Sequence, residues 1–78
     1  VIRFLLKELI AEYEFRTGTS LSINDIAEAT GIHRATISKI MNERGCVTRS
    51  DNVDKLCKFF GCKVEDVMLY VSDETLSQ

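Results

Sequence analysis

Proline is absent from the 78 residues, and histidine occurs once. No apolar run approaches the roughly 20 residues needed to cross a bilayer, and no signal-peptide pattern opens the chain. Without proline, and with 45% hydrophobic and 28% charged residues, the proline-rich, collagenous and disordered classes are excluded. A single histidine has too few partners for a His-based zinc site, so no metal and no cofactor is expected. The three cysteines, Cys46, Cys57 and Cys62, are odd in number and lack CxxC spacing. They read as reduced thiols of a cytoplasmic protein, with Cys57 in the core. The chain begins at Val1 rather than Met, which points to a processed or trimmed terminus.

What is present reads as helices. A chain of this length supports one domain with one core. Gly18, Gly31, Gly45 and Gly61 each follow an amphipathic stretch and are expected to end it in the left-handed conformation. Ile2, Leu5, Leu6, Leu9, Ile10 and Tyr13 keep helical spacing, as do Ile23, Ile26 and Ala27. Ile37, Ile40 and Met41 form a third apolar edge, Val53, Leu56, Cys57 and Phe60 a fourth, and Val64, Val67, Met68 and Val71 a fifth. No stretch alternates strictly enough for a strand. The spacing predicts an all-α domain over residues 1–71, with helices near 2–16, 23–30, 34–43, 50–60 and 64–71, and a polar tail over 72–78. Ser22 with Asp25 forms a capping-box variant before the second helix; Thr48 with Asp51, or Ser50, is the expected cap of the fourth.

Residues 23–40 carry the functional signal. A steep helix crossing needs a small residue where the backbones meet, a positive-φ residue in the turn and branched apolar locks. Ala27, Gly31, and Ile26, Ile32, Ile37 and Ile40 supply these in SINDIAEATGIHRATISKIMNERG. With the closing segment VDKLCKFFGCKVEDVM, the pattern resembles the Cro/C1-type (XRE) helix-turn-helix family, over most of the chain from Phe4 to Tyr70. The resemblance implies a compact five-helix, lambda-repressor-like domain in which helices 2 and 3 form the motif. It further implies a DNA-binding transcriptional regulator, repressor-like, acting as a homodimer on a double-stranded operator. Where the family usually has Gln at the start of the second helix this chain has Ile23, which leaves Asn24 or backbone N–H groups to hold a phosphate.

With Ile37, Ile40 and Met41 turned inward, Arg34, Ala35, Ser38, Lys39 and Asn42 face outward on the third helix. Arg34 suits the O6 and N7 of guanine, Ala35 or Thr36 a thymine methyl, and Lys39 a base or a phosphate. The family motif places Arg34, Ala35 and Lys39 at base contacts. Asn24, His33, Thr36, Ser38, Asn42, Arg44, Thr48 and Arg49 are assigned to the DNA backbone. Charge agrees: residues 32–49 hold four basic groups against Glu43, although the whole chain is −2.

Other readings are weaker. Ser38, His33 and Asp25 can be named as a triad, but a helical domain this small has no deep pocket to dry one, so no catalytic residue is expected. Cys57 and Cys62 flank a helix end and read as core thiols. Phe59 leaves the core period and, with Leu69 and Tyr70, is the candidate dimer seam. The alternative function is an antitoxin-like or adaptor subunit whose main role is binding a protein partner. No membrane partner is expected.

Overall fold

The computed structural model describes residues 1–72, so the expected tail lies outside the described residues except for Ser72. The elements in chain order are β1 (Ile2–Phe4), α1 (Leu6–Thr17), α2 (Ile23–Thr30), α3 (Arg34–Asn42), α4 (Ser50–Phe60), α5 (Val64–Val67) and β2 (Met68–Tyr70). Helices α2 and α4 have the expected bounds, and α3 is one residue shorter.

The two ends correct the strictly all-α expectation. β1 and β2 pair antiparallel, with Ile2 opposite Tyr70, Arg3 opposite Leu69 and Phe4 opposite Met68. The ladder is extended by Val1 and Val71, which exchange hydrogen bonds at 2.8 and 2.9 Å, and by the Leu5 N–H on the Val67 carbonyl at 2.7 Å. Both tripeptides are rich in residues that suit a pleated surface, and each finds its partner only across the whole chain. A pairing that distant leaves no mark on local periodicity, so helical spacing alone overextended α1 backwards and α5 forwards.

The core is apolar throughout. Leu6, Ile26, Ile37, Leu56 and Val67 are fully buried, one from each helix, and among the described residues no polar side chain is buried with them. Phe4 and Met68 pack against this core from the sheet. Cys46 is the buried thiol, and Cys57 and Cys62 are half-buried and pack against the core at its margin. Phe59 also departs from expectation. It stacks on Tyr13 at 5.8 Å and meets Phe60 edge-on at 4.9 Å, so its neighbours are α1 and α4 rather than Leu69 and Tyr70.

Helix ends follow their residues. Ser22 and Asp25 make the complete capping box: the Asp25 N–H donates to Ser22 Oγ (3.1 Å) and the Ser22 N–H to Asp25 Oδ2 (2.9 Å). The Ser22 backbone N–H, then its hydroxyl, hold the Asp25 carboxyl below its ordinary range. This part of the box is therefore present above the ordinary carboxylate pKa of 3.8 and is lost as pH falls through the lowered value. Ser22→Ala should cost about 0.5–2 kcal/mol in urea unfolding, and the gap between wild type and Asp25→Ala should narrow in acid. The fourth helix is not capped as expected: Arg49 occupies its N-cap without a side-chain capping bond, while Thr48 Oγ1 accepts from Asn52 Nδ2 at 2.9 Å. Gly45 has positive φ but lies beyond Glu43, the residue that caps α3, so it turns the loop rather than ending the helix.

Candidate nucleic-acid interface

The turn between α2 and α3 is built by three consecutive residues. Gly31 takes φ +77 and returns its N–H to the Ala27 carbonyl at 2.9 Å. Thr30, just before it, donates its hydroxyl to the Ile26 carbonyl (2.7 Å) and accepts the Ile32 N–H (3.2 Å). The threonine thus supplies a partner for the N–H that leaves the turn. Ile32 then buries its side chain and fixes α3 against the core.

His33 is the N-cap of α3. Its Nδ1 accepts the Ala35 N–H at 3.2 Å, which leaves the ring proton on Nε2, available to a phosphate oxygen. The contact gives His33 a structural role in capping α3, and the same geometry suits a phosphate contact.

The outward face of α3 has the expected composition. Arg34, Ala35, Lys39 and Asn42 are exposed, while Thr36 and Ser38 are half-buried at its margins. Asn42 Nδ2 is engaged with the Ser38 carbonyl at 3.0 Å, which orients its side chain along the helix. Arg44 and Arg49 are exposed on the loop that follows. Arg49 is held by Asp51 at 3.2 Å, an exposed pair that any phosphate contact by Arg49 must exchange. Thr48 is half-buried; its Oγ1 accepts from Asn52 Nδ2, which leaves the hydroxyl proton to donate.

One relationship was not foreseen. Arg34 Nη1 donates to Asn24 Oδ1 at 3.3 Å, tying the start of α3 to the start of α2. Ser22, Ile23, Asn24, His33, Arg34 and Ala35 share one shallow depression there. Ile23 itself packs on the core, and its neighbour Asn24 makes the tie to α3. The two residues are ten apart, a spacing with no local signature; only placing both helix starts in space shows the contact.

The structure therefore gathers Asn24, His33, Arg34, Ala35 and Ser38 at one edge of the motif, with Lys39 and Asn42 further along α3. Among the described residues no group of three or more His, Cys, Asp or Glu is placed to hold a metal ion. No helix of the described chain is long and apolar enough to cross a membrane.

Residues 6–73 match the family model of the Cro/C1-type HTH DNA-binding domain. Over 61 residues the chain is 38% identical to an uncharacterized HTH-type transcriptional regulator of Methanocaldococcus jannaschii, which covers 77% of this chain and 89% of that protein. No solved structure matches.

Proposed function

The chain belongs to the Cro/C1-type helix-turn-helix DNA-binding family, and on that premise we propose that it is a sequence-specific, repressor-like transcriptional regulator of the cytoplasm that reads the major groove with α3. The observation that carries this reading is the exposed Arg34, Ala35 and Lys39 face of a helix whose start is braced by Asn24 and capped by His33. Arg34 forks onto a guanine, Ala35 meets a thymine methyl and Lys39 completes the base contacts. The His33 Nε2 proton, Asn24, Thr36, Ser38, Asn42 and the loop residues Arg44, Thr48 and Arg49 lie against the two phosphate strands. The relative's description as a transcriptional regulator supports the same role. Residues 1–71 act as the DNA-binding unit, with the remaining residues as a polar tail.

One recognition helix spans only a few base pairs, too short an address for a genome. The active form in this reading is a homodimer on a pseudo-palindrome, with half-site centres about 34–36 Å apart. Of the three expected seam residues, Phe59 is removed by its stacking with Tyr13 and Phe60. Leu69 and Tyr70 remain exposed, Tyr70 at 71%, on a strand whose outer edge has no paired strand among the described residues. Such an edge suits pairing with a second copy. Selection of bound sequences from a random DNA pool at a stated salt concentration should return an inverted repeat. Equilibrium sedimentation should show a dimer on the selected duplex. Recovery of no preferred sequence would instead favour a subunit whose business is a protein partner.

A further inference from the structure

A second basic surface adjoins the helix-turn-helix from a part of the chain the motif does not include. Arg3 of β1, Lys7 of α1 and Arg44 of the loop after α3 line one depression together with Met41 and Gly45. All three cations are exposed. The main chain fixes their relation. The β1–β2 ladder continues through Val1, and a side-chain carbon of Val1 lies only 3.3 Å from where a Cβ on Gly45 would stand. Gly45, at φ +68, thus lets the loop that carries Arg44 close on the end of the sheet. Glu8 is the one carboxylate in the depression, and Arg3 holds it at 3.3 Å. Lys7 and Arg44 hold no carboxylate among the described residues. Lys7 also stands in the first turn of α1, where the helix dipole favours acidic residues over basic ones. Helix stability gives no reason for a lysine there, and an anion outside the chain does.

We propose that Lys7 and Arg44 grip neighbouring phosphates of one DNA strand where it passes the end of α3, with Arg3 keeping Glu8 from repelling them. The inference rests on the reading of α3 as the helix that enters the groove, and it extends the interface to β1 and α1. Lys7 and Arg44 share their depression with Met41, in the last turn of α3, whereas Asn24 and His33 lie at the start of that helix. A helix in the major groove has a phosphate strand on either side. Asn24 and His33 serve one strand, and Lys7 with Arg44 serves the other. With Lys39 turned to a base, Lys7 is the third basic group that each subunit sets on a phosphate, beside Arg44 and Arg49.

Binding of the full chain and of Lys7→Gln is measured on the selected duplex and on a scrambled one across a salt series. Lys7→Gln should weaken binding to both duplexes by the same factor. It should also flatten the plot of log K against log salt by about two for a dimer, since each subunit loses one phosphate contact at about 0.9 each. Glu8→Gln, which frees Arg3, should tighten binding to both duplexes. On the unmodified chain, the duplex should protect the Lys7 amine from acetylation, as read by peptide mapping, and leave Lys58 on α4 reactive. This keeps the test decisive if a variant fails to fold. An unchanged slope in Lys7→Gln, a loss confined to the selected duplex, or a Lys7 amine that reacts equally in the complex overturns the clamp. Specific binding by the full chain would in that case leave the reading of α3 standing. If the full chain binds neither duplex, both fall. Equal protection of Lys7 by inorganic phosphate alone assigns the depression to a free anion and likewise overturns the clamp.

Discussion

Ile37→Ala should lower stability by about 2–5 kcal/mol, measured by urea unfolding, because its side chain is fully buried beneath the recognition helix. It is the only fully buried residue that α3 contributes, with Ile40 next to it at 3% exposure. Its removal leaves a void under the helix that faces DNA, so binding falls together with folding. Arg34→Ala is the contrasting variant. Its guanidinium is exposed and holds one hydrogen bond, at 3.3 Å to Asn24. An exposed bond of that length contributes little net stability, so the unfolding midpoint should stay nearly constant while specific binding weakens. If Arg34→Ala unfolds the domain, the arginine is a structural clamp between α2 and α3, and the base-contact assignment for it is wrong.

The contrast between these residues shows why parts of the molecule were legible in the sequence. Ile26, Ile37, Leu56 and Val67 announce themselves by helical spacing, and Ser22 with Asp25 by local cap chemistry; all are determined within a few residues of themselves. The outward face of α3 follows by elimination once Ile37 and Ile40 are inside. What stayed hidden depends on partners far along the chain. Ile2, Arg3 and Phe4 become a strand because Met68, Leu69 and Tyr70 lie opposite them. Asn24 acquires its partner Arg34 only when the turn at Gly31 folds the two helix starts together. Phe59 is drawn inward by Tyr13, from a helix more than forty residues earlier. The family resemblance supplied the role of the α3 face, which spacing alone left as one more solvated surface.

The steepest expected effect is on affinity for DNA in salt, where the local charge outweighs an overall charge of −2. If each subunit sets Arg44, Arg49 and Lys39 or an equivalent basic group near phosphates, a dimer neutralises on the order of six. Log K should then fall with log salt at a slope of about −5, or roughly a thousandfold between 50 and 200 mM. Arg49→Glu should weaken binding to every sequence alike and flatten that slope, since Arg49 is exposed on the loop and pairs with the exposed Asp51. Asp51→Asn should act in the opposite direction by releasing Arg49 from that pair. Changing Arg34 should instead relax preference at one base pair, at a cost of about 1–3 kcal/mol there, and leave the slope nearly intact. Filter binding or fluorescence anisotropy across a salt series, on the selected duplex and on a scrambled one, separates the two classes. Affinity that ignores salt, or equal effects of the Arg34 and Arg49 changes on both duplexes, would move the docking surface off α3 and its loop and favour a protein partner over DNA.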